Sequence, residues 1–163
     1  MSLASRMRPS VYIETSIVSY LVARSSRDPL MAERQRQTRE WWDARRSEYR
    51  LFSSELVHQE AGFGEAAMAR KRIALIDTLS LLRSGPEAER LAVALIQRGP
   101  LPTKARSDAS HISLATVGLI DYLLTWNCKH IANPKMFRTI TRVCWELGYA
   151  PPVLCTPDEL LMR

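Results

Sequence analysis

The sequence predicts an α/β protein with a parallel sheet covered on both faces. Three observations point there. Short β-branched or apolar runs alternate with helical segments along the chain, the pattern of parallel strands joined by right-handed crossovers. The clearest run, Tyr122-Leu123-Leu124, is continuously apolar rather than alternating, as in strands buried on both sides. Gly85-Pro86 and Gly99-Pro100-Leu101-Pro102 punctuate the segments as turns and loops.

A chain of 163 residues fits one domain with a substantial core. Residues 8–163 are read as that domain. Residues 1–7 are read as an N-terminal extension, expected to be disordered or partly foreign because Met7 offers an alternative start. There is no internal repeat, low-complexity tract or linker. The hydrophobic fraction of 46% and charged fraction of 25% are ordinary for a globular protein. No apolar run is long enough to span a bilayer, and the N-terminus lacks the apolar centre of a secretory signal. Membrane partners are therefore not expected. Cys128, Cys144 and Cys155 have no framework spacing, which fits a reducing cytoplasm. The net charge of +6 leaves two readings, simple solubility or an anionic partner such as nucleic acid.

Taken in order, Ser10-Val11-Tyr12-Ile13 is β-branched and aromatic and predicts the first strand. Glu14 ends it, and Thr15 or Ser16 caps the helix beyond. Glu14 has two readings here: a functional carboxylate, or a charge stabilising the helix N-terminus. Asp28-Pro29 opens a basic helix over residues 28–48. Its adjacent Trp41 and Trp42 cannot share one stripe, so either both are packed or one serves a partner. Tyr49 to Phe52 predicts the second strand, with Ser53 or Ser54 capping the helix that carries Glu55 and Glu60. Gly62 and Gly64 break that helix. The next, over 65–77, carries Arg70-Lys71-Arg72, a solvated face or a phosphate track. Leu79 to Leu82 is the third strand, and residues 87–98 the following helix.

Residues 108–133, DASHISLATVGLIDYLLTWNCKHIAN, organise the rest. Asp108 opens a helix, Gly118 loosens its last turn, and Thr125-Trp126-Asn127 follows the strand at its carboxyl end, where open α/β sheets bind ligands. Pro134 starts a helix ended by Gly148. Pro151 to Cys155 forms a last strand, and Thr156-Pro157-Asp158-Glu159 caps a final helical turn.

Several chemistries are excluded. No glycine-rich phosphate loop follows the first strand, and no GxSxG elbow is present. Cys128 and His130 match no closed zinc spacing; Cys128 is expected to be a packed thiol and Cys144 a helix core residue. What remains is a set of oxygen ligands at element junctions: Glu14, Glu60, Asp108 and Asn127. Three carboxylates in one cleft repel unless a cation offsets them, and oxygen-rich sites suit Mg²⁺ or Mn²⁺.

The succession YIETS, SSELVHQE, SDASHISLAT and DYLLTWNCKHIAN resembles the PIN domain, most closely the VapC-type toxins of bacterial toxin–antitoxin pairs, over residues 10 to 160. The resemblance implies a three-layer α/β/α sandwich with a central parallel sheet. It also implies a metal-dependent endoribonuclease that leaves a 5′-phosphate and a 3′-hydroxyl. In that reading Glu14, Glu60 and Asp108 hold Mg²⁺ or Mn²⁺, with Glu55 the alternative claimant to the place of Glu60. Asn127 stands where many PIN domains have an aspartate and offers a carbonyl oxygen as auxiliary ligand. Ser16 and Thr125 are supporting hydroxyls. His111 orients Asp108, meets a phosphate, or is merely packed; His130 has the same standing. Lys104 and Arg106 are phosphate contacts or a solvated loop. The implied partners are RNA, a cognate antitoxin protein and a second copy of the chain. The competing reading is a PIN-fold RNA- or protein-binding module with weak or no catalysis.

Overall fold

The computed structural model describes residues 8–162; the expected extension, residues 1–7, lies outside them. Five strands form one all-parallel sheet: β1 (Ser10–Ile13), β2 (Arg50–Ser54), β3 (Ser80–Leu82), β4 (Tyr122–Leu124) and β5 (Val153–Cys155), in the order β3-β2-β1-β4-β5. Among the described residues eight α-helices flank it in three α/β/α layers: α1 (Thr15–Val22), α2 (Pro29–Arg45), α3 (Glu55–Ala61), α4 (Ala66–Ile76), α5 (Pro86–Gln97), α6 (Arg106–Val117), α7 (Pro134–Glu146) and α8 (Pro157–Leu161). The fold expected from the sequence is the fold observed.

The first strand takes the central place because it is apolar on both faces. Val11, Tyr12 and Ile13 are fully buried, and Tyr12 sits opposite Phe52 on one side and Leu123 on the other. Each such side chain contributes roughly 1.5–3 kcal/mol on leaving water. Asp121 sets the β1–β4 register from below. Its Oδ2 accepts from the Ser10 N–H (2.7 Å) and hydroxyl (2.8 Å), and its own N–H donates to Ser10 Oγ (2.9 Å). The chain leaves β1 toward β2 and β3 and later returns to the other side with β4 and β5. The carboxyl ends of β1 and β4 therefore flank the point where strand order reverses, the usual crevice for ligands in open α/β sheets.

Helix α6 is buried from His111 to Thr116 without a break. Its small polar residues are compatible with that position because they bond within the helix: Ser113 donates to the Ala109 carbonyl and Thr116 to that of Ile112. The helix starts at Arg106, so Asp108 lies in its first turn rather than opening it. At the other end the left-handed residue is Leu119, at φ 55°, while Gly118 keeps a negative φ. Gly118 is needed for space instead: a Cβ there would lie 2.9 Å from the Leu114 carbonyl oxygen and 3.0 Å from Leu82 Cδ1. Leu119 is 77% exposed and meets the cost of left-handed backbone without compensating burial. Leu119→Gly is expected to stabilise the protein by about 0.5–1 kcal/mol, read as a higher midpoint in denaturant; an unchanged midpoint counts against strain at this turn.

Other expectations are adjusted locally. Trp41 is fully buried beside Tyr49, while Trp42 is half-buried under the Arg46 guanidinium, 5.3 Å from its ring. Only Trp42 is thus left for a partner. Arg72 donates to the carbonyls of Ala61 and Phe63, holding the break between α3 and α4; it clips the chain rather than tracking phosphates. Cys144 and Cys155 are buried, but Cys128 is exposed rather than packed. Glu55 faces outward, 3.7 Å from Arg83, which removes it as a claimant to the cleft.

Candidate functional site

Four separate segments meet at the carboxyl ends of β1 and β4: the start of α1, the end of α3, the first turns of α6 and the loop after β4. Glu14 follows β1 directly and its N–H still bonds to the Leu124 carbonyl, so the ladder runs one residue beyond the strand (3.2 Å). Glu14 itself caps α1, because its Oε2 accepts from the Ser16 N–H (3.1 Å). The expected caps, Thr15 and Ser16, are therefore free for other work. Ser16 Oγ donates to the same carboxylate oxygen (2.5 Å) and accepts from the Trp126 N–H (2.8 Å). Thr125 Oγ1 donates to it as well (2.7 Å) and accepts from the Asn127 N–H (2.9 Å). Both readings of Glu14 hold at once: one oxygen is a cap fixed by two hydroxyls, and the other, Oε1, faces His111 at 4.0 Å.

Glu60 reaches the cleft from the last turn of α3. Its Oε1 accepts from Thr15 Oγ1 (2.8 Å) and from His111 Nε2 (2.6 Å), and its Oε2 from Ser107 Oγ (3.1 Å). Burial works against ionisation here, but the His111 bond and charge, with the hydroxyls of Thr15 and Ser107, outweigh it. The Glu60 carboxyl is held below its ordinary range.

His111 is neither at the surface nor bonded to backbone, and it does not orient Asp108. It is buried, with Nε2 on Glu60 and Nδ1 on the Tyr12 hydroxyl (2.7 Å). The Tyr12 hydroxyl also meets Ser54 Oγ (2.7 Å), and Ser54 caps α3 by accepting from the Val57 N–H (3.1 Å). Facing an ionised carboxylate, Nε2 carries a proton; Nδ1 then accepts from Tyr12 when the ring is neutral and donates to it when the ring is charged. Burial opposes the charged ring, but the Glu60 bond and the nearby charges of Glu14, Glu60 and Asp108 prevail, so the His111 pKa is raised. Burial keeps the Tyr12 phenol protonated by pushing its pKa far up.

Asp108 is held from the other side of the cleft. His130 Nδ1 bonds to its Oδ2 (2.7 Å) and Asn127 Nδ2 donates to its Oδ1 (2.9 Å). The orienting role open to His111 thus falls to His130. Asn127 also departs from expectation. Its Oδ1, the proposed auxiliary ligand, accepts from the His130 N–H (3.0 Å). A backbone N–H and a carboxylate on its two ends fix which way the amide points. Asn127 as placed positions Asp108 rather than presenting oxygen to an ion.

The donor chemistry of Glu14, Glu60 and Asp108 suits a hard divalent ion. The arrangement as it stands does not form a coordination shell. Among the described residues no three His, Cys, Asp or Glu side chains converge to hold a metal; His111, His130 and Asn127 engage carboxylate oxygens of Glu60 and Asp108. Thr15, Ser107 and Tyr12 are site residues that sequence reasoning missed. Thr15 and Ser107 had one available signal, each being the neighbour of an acid already singled out.

Fold and site together define a class: a parallel α/β/α protein with a carboxylate cleft at the point where strand order reverses. No protein-family model matches the chain, and no curated protein matches it significantly. Among the described residues, no helix is long and apolar enough to cross a membrane.

Proposed function

We propose that the chain is a PIN-type, metal-dependent endoribonuclease and the toxin of a toxin–antitoxin pair. The observation that carries this reading is the pairing of Glu14 and Glu60 about the buried His111, with Asp108 one turn earlier on the same helix and held by Asn127 and His130 from the loop after β4. Glu14, Glu60 and Asp108 would hold Mg²⁺ or Mn²⁺. When bound, such an ion supplies an acidified water and a Lewis acid for the phosphoryl oxygen. The chain's own part is positional. Ser16 and Thr125 fix one oxygen of Glu14, Thr15 and Ser107 steer Glu60, and Asn127 and His130 aim Asp108. The net charge of +6 favours an RNA backbone nearby. The same reading brings a cytoplasmic location, a second copy of the chain, and an antitoxin whose basic side chain enters the acidic cleft.

A second reading, a binding module without catalysis, is favoured by one observation: both oxygens of Glu60 and of Asp108 are engaged by protein donors. One experiment separates the two. Purified protein is incubated with a mixed RNA pool in Mg²⁺, in Mn²⁺ and in EDTA, beside Asp108→Ala. Cleavage that needs metal and disappears in the variant supports the nuclease. Intact RNA in both metals, together with no Mn²⁺ binding by calorimetry, sinks it in favour of the binding module.

A further inference from the structure

Beside the acidic cleft runs a groove of about 910 Å³ between α5 and the first turn of α6. Arg90, Val93 and Ile96 line it from α5 together with one carboxylate, Glu89, and Thr103 and Arg106 line the other wall. Its two guanidiniums differ from most of the others. Arg36, Arg46, Arg72 and Arg142 bond to carboxylates or carbonyls of the protein. Neither the Arg90 nor the Arg106 guanidinium has a hydrogen bond or ion pair among the described residues. An arginine without a protein partner keeps all its donors for a ligand, and its planar fork matches phosphate.

The groove and the cleft share α6 as a common wall. Arg106 faces the groove, and the next two residues, Ser107 and Asp108, bond to Glu60 and to His130 inside the cleft. We infer that this groove seats the backbone of a single-stranded RNA, with Arg90 and Arg106 on successive phosphates, and delivers the strand past Asp108. The inference rests on the nuclease reading and adds the path of its substrate. The groove carries no aromatic side chain, so bases have no stacking platform there. The groove therefore holds the backbone alone, and binding through it tolerates sequence and is sensitive to salt.

The test is binding of a fluorescent twelve-nucleotide RNA to the whole chain in EDTA, which prevents cleavage, across a salt series. Three proteins are compared: wild type, Arg90→Ala with Arg106→Ala, and Arg70→Ala with Lys71→Ala. The last pair removes the same charge from exposed positions on α4. The groove variant is expected to bind at least about tenfold more weakly, with the slope of log affinity against log salt reduced by about 0.7 for each phosphate that is no longer neutralised. The α4 variant stays near wild type. Equal losses in both variants overturn the groove and leave only net charge. If wild type binds RNA and the groove variant matches it, the path is wrong and the nuclease reading survives. If wild type binds no RNA, both fail. If an acidic peptide of equal charge binds and is released by the groove substitutions while RNA is unaffected, the groove serves a protein partner and the inference falls.

Discussion

Under the proposed nuclease reading, Asp108→Ala is expected to lower metal-dependent RNA cleavage by more than about 100-fold, since removing even a group behind a metal ligand costs about 10–100-fold. The loss should come without unfolding. Asp108 lies in the first turn of α6, half-buried, and its partners Asn127 and His130 are reachable by water. Removing its carboxylate leaves their donors to solvent, at about 1 kcal/mol of stability. His130→Ala makes a useful companion. It removes one hydrogen bond to Asp108 and keeps the carboxylate, so a partial loss of rate is expected. Full activity in Asp108→Ala, with circular dichroism unchanged, would remove the residue from the site.

The second large effect is on stability and falls on His111. His111→Ala takes a buried ring from between Glu60 and Tyr12 and opens a cavity beneath two carboxylates. A loss of about 2–4 kcal/mol is expected. Its pH dependence identifies the cause. Glu60 is held below its ordinary value, so its contribution is present above the unfolded glutamate pKa and is lost as pH falls through the folded one. His111 is raised, so its contribution is full below the unfolded histidine pKa and is lost as pH rises through the folded one. The two overlap between roughly pH 4.3 and 6.5. In EDTA, wild type should therefore exceed His111→Ala most within that window, with the gap narrowing on both sides. Melting temperatures that differ by a constant amount from pH 4 to 9 would leave the cavity as the whole explanation.

The strands and helices were legible because each is locally consistent. Apolar runs mark β1 and β4, Asp28-Pro29 and Thr156-Pro157 mark helix starts, and Asp28 and Thr156 cap as expected. Ser53 and Ser54 were read only as caps, yet both belong to β2. Their hydroxyls take tertiary partners, Ile13 O and Tyr12, that no local pattern discloses. The site divides in the same way. The place of Glu14 was legible, because an acid directly after a buried parallel strand has few other places to go; Glu60 and Asp108 sit on helices, where spacing alone does not say which face they take. How they are held was not. The pairing of His111 with Glu60 and of His130 with Asp108, and the hydroxyl of Thr125 on Glu14, depend on partners from distant segments.

The place of β1 in the sheet has a consequence for synthesis. Val11 is made well over a hundred residues before its partner Tyr122, and the cleft also needs Asn127 and His130. Until that region has left the ribosome, the most apolar strand has an open ladder on one side and no acidic cleft can close. A chain built in this order completes its acidic cleft only late in translation, at the cost of a long interval in which a sticky edge waits for its partner.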